Sequence, residues 1–150
     1  VTEAGGNRMG LLKSGMGIGG LLLEGIGDTL RVSLTDEPEN EVLAGYDILR
    51  AVGYAVAGPE IISCPTCGRT QYPMMEIARE VEERLRADGF KKPLKIAIMG
   101  CIVNGPGEAS DADIGIAGGK DEALLFIRGQ RVRMLKDHIV DQLIDEIYKL

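Results

Sequence analysis

Two cysteines three apart, and a third far along the chain, restrict this sequence more than any other feature. Cys64-Pro65-Thr66-Cys67 holds two sulfurs close together when its backbone turns, and 33 residues then separate Cys67 from Cys101. The first pair follows a short β-like run, Glu60–Ser63, and Cys101 follows the apolar run Leu94–Met99, which reads as a buried strand. The three sulfurs meet only if a βαβ unit carries both strand ends to one edge. Open α/β sheets collect their ligands at that carboxyl edge. Three cysteines, an odd and sparse set, make no disulfide framework and read as intracellular metal or thiol chemistry.

The intervening segment supplies the helix that such a unit needs. Pro73 suits a first helical turn, and Met74, Ile77, Ala78, Val81 and Leu85 fall on one apolar face. After Cys101, Asp113–Ala117, Ala123–Arg128 and Gln130–Leu135 read as strands, with Gly118-Gly119 between the first two. Asp137–Leu150 reads as an amphipathic helix with Val140, Leu143, Ile144 and Ile147 inward.

The part before Gly58-Pro59 has a different grammar, so the expected division is 1–57 and 58–150. Val1–Ala4 reads as the tail of a strand, and Arg8–Glu24 as a helix whose small residues allow close packing. Gly25-Ile26-Gly27-Asp28 breaks it, and Thr29–Leu34 is a β-branched strand candidate. Asp36-Glu37-Pro38 signals a helix start, continued over Glu39–Val52. Strand, helix, strand, helix implies parallel βα units. Two units close no sheet, so a piece of a longer protein is expected.

Composition removes several function classes. Across 150 residues, 17 Lys+Arg against 23 Asp+Glu leave a net charge of −6, which argues against general binding to nucleic acid or anionic membrane. The longest uncharged stretch, Ile96–Gly107, is far short of the roughly 20 apolar residues of a membrane span. No basic segment followed by an apolar one marks a signal peptide, and a cytoplasmic location is expected. With only 2 Phe and no Trp, aliphatic side chains must build the core.

Three chemistries compete for the cysteines. A redox dithiol, Cys-Pro-x-Cys ahead of a helix, leaves Cys101 unexplained. Structural zinc needs a fourth ligand, and the single histidine, His138, sits at the C-terminal helix. An iron–sulfur cluster held by three thiolates leaves one iron site exchangeable. The turn Asn104-Gly105-Pro106-Gly107 brings Glu108 within seven residues of Cys101, a hard and displaceable ligand for such an iron. The bland alternatives are buried thiols and a solvated surface turn. Gly15-x-Gly17-x-x-Gly20 matches a dinucleotide fingerprint, but it follows a helical run rather than a strand, so close helix packing is expected instead.

Ser63-Cys64-Pro65-Thr66-Cys67-Gly68-Arg69 and Gly100-Cys101-Ile102-Val103-Asn104-Gly105-Pro106-Gly107-Glu108-Ala109 resemble the two cluster motifs of the 4-hydroxy-3-methylbut-2-en-1-yl diphosphate synthases, iron–sulfur enzymes of the methylerythritol phosphate route to isoprenoids. Val1–Gly5 and Glu24–Leu34 resemble motifs near the end of that family's substrate barrel. The resemblance covers the whole chain in order. It implies an α/β fold: the last βα units of a (β/α)8 barrel over 1–57, then an α/β domain over 58–150 similar to a half of sulfite or nitrite reductase. It implies a 4Fe-4S cluster bound by Cys64, Cys67, Cys101 and the Glu108 carboxylate. Asn104 would approach the substrate, Glu3 would stand near the reacting centre with Thr2 beside it, and Arg31 and Ser33 would grip the diphosphate. Arginine suits that task because its planar fork matches phosphate oxygens.

The implied reaction is reductive ring opening and dehydration of methylerythritol cyclodiphosphate, with flavodoxin or ferredoxin as electron donor and a homodimer in the full-length enzyme. Neither nucleic acid nor membrane is an expected partner. The alternative from another class is a zinc or dithiol interaction module without reductase activity. About six of the eight barrel units are missing from this stretch, so the 150 residues alone are expected to take up a cluster without turning over substrate.

Overall fold

A computed structural model describes residues 5–103 and 105–150, with the side chain of Glu108 also outside the description. The chain divides into two units, Val1–Ala57 and Gly58–Leu150.

In the first unit, α1 (Asn7–Leu23) and α2 (Pro38–Ala51) pack together. Pro38 occupies the first turn of α2, Glu39 and Glu41 follow it, and Arg50 lies in the last turn, all complementing the helix dipole. Leu22, Val32, Ala44 and Ile48 form the buried cluster, joined by Leu30, Leu34 and Val52. Gly45 lets α2 approach this cluster closely: a side chain there would begin 3.1 Å from Leu30 Cδ1, which would have to give way by a few tenths of an ångström. Gly15, Gly17 and Gly20 all lie inside α1, so the apparent nucleotide fingerprint is helix interior.

Thr29–Leu34, expected as a strand, forms no ladder among the described residues. Its alternation survives: Leu30, Val32 and Leu34 contribute to the apolar cluster while Arg31 is exposed. A strand needs a neighbour for its N–H and C=O groups, and here the Leu34 N–H goes instead to Glu41 Oε1 at 2.8 Å. The expected strand tail Val1–Ala4 lies outside the described residues.

The second unit is a five-stranded mixed sheet in the order β1 (Glu60–Ser63), β2 (Lys95–Met99), β3 (Ile114–Gly118), β4 (Glu122–Ile127), β5 (Gln130–Lys136). The first three strands run parallel, and β4 and β5 add as antiparallel hairpins. α3 (Met74–Ala87) bridges β1 and β2, and α5 (Ile139–Lys149) follows β5. Both helices pack on the same sheet face. Ile77, Val81 and Leu85 from α3, and Val140, Leu143 and Ile147 from α5, meet Ile96, Ile98, Ile114, Ile116 and Leu125. The opposite face carries Ala97, Met99, Ala117 and Phe126, covered by Ala109 and Ala112 after one helical turn, α4 (Gly105–Glu108).

That turn replaces the simple loop expected at Gly105-Pro106-Gly107. The Gly105 N–H bonds Cys101 O and the Ala109 N–H bonds Gly105 O, both at 3.0 Å. Proline is well suited to a first turn. A side chain on Gly105 would start 2.7 Å from Met99 Cβ and 3.0 Å from Ala117 Cβ, so only glycine lets this turn lie on β2 and β3. No helix among the described residues is long and apolar enough to cross a membrane.

One exposed cluster ties α3 to α5. Arg84 donates to Asp141 and to Glu80, each at 2.5 Å. The Arg84 guanidinium holds the Asp141 carboxyl below the usual carboxylate range, chiefly by that hydrogen bond. A depressed folded-state value stabilises the native chain above the unfolded pKa of about 3.9 and is lost as pH falls through the lower folded value. Asp141→Asn should therefore flatten the acid limb of stability below about pH 4, read as urea midpoints against pH. An unchanged acid limb would refute the coupling.

Candidate metal centre

Sheet topology puts the cysteine loops side by side. β1 and β2 are parallel neighbours with Ser63 opposite Ile98, so Cys64 and Cys101 leave the sheet at the same carboxyl edge. A cavity of about 430 Å³ opens there, and Cys64, Cys67 and Cys101 all line it, together with Arg69, Thr70, Met99 and Gly100. All three cysteines are thiols; Cys64 and Cys101 are half-buried and Cys67 is exposed.

Cys64 is the most constrained of the three. Its sulfur accepts the Gly100 N–H at 3.2 Å, and its S–H donates to Met74 Sδ at 3.8 Å. Gly100 has no room for a side chain: a methyl would overlap Thr70 Oγ1 and lie 3.4 Å from both Cys64 Sγ and Met74 Sδ. Thr70 Oγ1 is buried with no hydrogen-bond partner among the described residues. A buried hydroxyl left unpaired costs about 1–3 kcal/mol, so its presence calls for an acceptor. At Cys67 the turn closes through Thr70 N–H to Cys67 O at 3.0 Å. The Arg69 backbone N–H, and next its guanidinium, lower the Cys67 thiol below its ordinary value.

Tyr72 braces the two loops. It is 7% exposed, and its hydroxyl donates to Met99 O at 2.8 Å, two residues before Cys101. Burial, and next the Cys64 sulfur, push its hydroxyl pKa strongly up. Its ring rests against Gly118 at the end of β3, where any side chain would overlap it.

The other expected site residues are less fully described. Glu108 ends α4, directly after the loop carrying Cys101, but its side chain lies outside the description. Asn104, Thr2 and Glu3 also lie outside the described residues. Arg31 is exposed and Ser33 half-buried on the extended segment of the first unit. His138 does not line the cysteine cavity; it is exposed and pairs with Asp141 at 3.4 Å.

Among the described residues no three His, Cys, Asp or Glu side chains stand close enough to hold an ion as they are. The three thiols nevertheless share one cavity wall, which also carries an unsatisfied hydroxyl and a thiol held low by Arg69. Soft thiolates are the donors that iron–sulfur clusters take. The residues present therefore fit such a group in kind, and they gather on one cavity wall. Sequence reasoning assigned no role to Thr70, Tyr72, Gly100 or Gly118. The one hint was the glycine directly before Cys101.

Comparison with known proteins agrees with this geography. A profile of the GcpE protein C-terminal domain matches residues 60–149, and one of the GcpE TIM-barrel domain matches residues 1–46. The 4-hydroxy-3-methylbut-2-en-1-yl diphosphate synthase (flavodoxin) of Clostridium tetani is 60% identical over 148 residues, 98% of this chain and 42% of that protein. Those named alike from Clostridium perfringens and Caldanaerobacter subterraneus subsp. tengcongensis are 55% and 53% identical, each over 100% of this chain and 42% of its own length. The chain thus spans 42% of the length of these relatives. It belongs to the GcpE family, carrying that family's C-terminal domain and the end of its TIM-barrel domain.

Proposed function

We propose that the protein to which this chain belongs is a 4-hydroxy-3-methylbut-2-en-1-yl diphosphate synthase. It opens the ring of methylerythritol cyclodiphosphate, taking up two electrons and two protons and releasing water. The observation that carries this reading is the convergence of Cys64, Cys67 and Cys101 on one cavity at the carboxyl edge of β1 and β2. Relatives at 53–60% identity bear that enzyme's name, and the name includes flavodoxin, the electron donor we assign.

Cys64, Cys67 and Cys101 would bind a 4Fe-4S cluster as thiolates, with Glu108 as the displaceable fourth ligand. Such a cluster, when bound, supplies low-potential electrons and a Lewis-acidic iron site. The remaining work falls to the protein. Arg69 favours the charged form of the Cys67 sulfur, through its backbone N–H first and its guanidinium next. The Gly100 N–H fixes the Cys64 sulfur. Arg31 and Ser33 would hold the diphosphate, with Thr2, Glu3 and Asn104 nearer the reacting carbons. We assign Val1–Ala57 to the end of the substrate barrel and Gly58–Leu150 to a cluster domain similar to a half of sulfite or nitrite reductase. Support for that likeness is the mixed sheet with both long helices on one face. We further assign the full-length protein to the cytoplasm, as a homodimer with no nucleic-acid or membrane partner.

The alternative, a zinc or dithiol module, leaves Cys101 in the cavity wall without a task and offers His138 no place beside it. Metal and labile-sulfide analysis of the anaerobically purified full-length protein decides between them. Iron and sulfide in equal amounts, in brown protein, support the cluster. Zinc alone, or no metal, in colourless protein overturns it.

A further inference from the structure

We propose that the Thr70 hydroxyl is a hydrogen-bond donor held for the sulfur of Cys64 in its metal-bound state, and that it raises the reduction potential of the centre. This rests on reading the three cysteines as cluster ligands.

Thr70 Oγ1 is buried and lacks a partner among the described residues. It shares a narrow space with Cys64 Sγ beside Gly100, where no side chain intervenes. In the thiol form, the Cys64 proton is directed to Met74 Sδ, and the neutral sulfur is a weak acceptor that already takes the Gly100 N–H. Metal in place of that proton ends the contact with Met74 as a donor and leaves negative charge on the sulfur. Hydrogen bonds to a charged acceptor are about twice as strong as neutral ones. Both atoms border the same space over Gly100, so a modest torsional shift of the Thr70 side chain brings its hydroxyl to the charged sulfur as a second donor besides the backbone N–H. Reduction adds more negative charge to the centre, and donors to its sulfurs favour the reduced form. Thr70 acts through Cys64 and touches neither substrate nor reacting carbon, so it is a positioning and tuning residue.

The test compares full-length, anaerobically purified holoprotein as wild type, Thr70→Val and Thr70→Ser. Iron and sulfide content is measured first. Wild type without a cluster would remove the parent reading, whatever Thr70 does. With clusters present, an EPR-monitored redox titration of Thr70→Val, which keeps shape and loses the hydroxyl, should show an approximately tenfold lower ratio of reduced to oxidised centre at fixed potential. That corresponds to a midpoint about 59 mV more negative. Thr70→Ser should restore the wild-type midpoint. Pulsed EPR in D₂O should show a deuteron coupled to the reduced centre in wild type and Thr70→Ser but missing in Thr70→Val. An unchanged midpoint with the same deuteron coupling in Thr70→Val would overturn the proposal. If Thr70→Val takes up no cluster, Thr70→Ala replaces it, and retention of that coupling there would overturn it equally.

Discussion

Cys101→Ser in the full-length protein should leave anaerobic preparations colourless, with iron and labile sulfide near background and turnover lost. Residues that merely orient a metal ligand already cost about 10–100-fold in affinity or activity when changed. Removing one of only three thiolates should cost more. The prediction is specific to the cavity, because Cys101 reaches it from the end of β2 while the other two come from the loop after β1. A dithiol centre would lose nothing, since the Cys64/Cys67 pair stays intact. His138→Ala serves as the control: this exposed residue does not line the cavity and should retain full iron. Wild-type iron in the serine variant would end the cluster assignment.

Gly118→Ala should cost about 3 kcal/mol or more of stability and loosen the cysteine site with it. The added methyl would overlap Cε1 and Cδ1 of Tyr72. That ring is buried and tethered by its hydroxyl to Met99 O, so it has little freedom to retreat. Overpacking of this kind costs about 1–3 kcal/mol. Displacing the ring also leaves the buried Tyr72 hydroxyl without its acceptor, for roughly another 1–3 kcal/mol. Urea unfolding reads the loss directly. Pairing Gly118→Ala with Tyr72→Leu, which vacates the space, should recover the overpacking part and leave the lost hydrogen bond. A single variant within about 0.5 kcal/mol of wild type would show that Tyr72 does not need the glycine.

How far the fold could be read from residues alone depended on where each signal is decided. Ile77, Val81 and Leu85 recur at helical spacing, and their burial in α3 follows from that period. The convergence of Cys64 and Cys101 on one edge was legible because a strand–helix–strand run has few ways to fold. Thr29–Leu34 misled because its residues prefer extended chain, and its alternation is real. What is missing among the described residues is the ladder, which a single segment cannot supply. Gly105-Pro106-Gly107 reads as a turn by local preference, yet it opens a single helical turn that lies close on Met99 and Ala117. Thr70, Tyr72, Gly100 and Gly118 were illegible for the same reason. Their roles are defined by partners 27 to 46 positions away in the case of Tyr72 with Met99 and Gly118, and 30 in the case of Thr70 with Gly100.

The strands of the second unit stand in space in the order in which they occur along the chain. Only 3 and 2 residues join β3 to β4 and β4 to β5, whereas 31 lie between β1 and β2. Closing a short loop takes less entropy than closing a long one, so the three C-terminal strands are kinetically favoured to associate early. β1 docks across the widest gap and is also an outer strand, with one edge unpaired within the sheet. The thiols therefore acquire a common wall only when the most distant pairing in the sheet has formed, so the proposed capture of iron would belong to the closing stage of assembly rather than its nucleation.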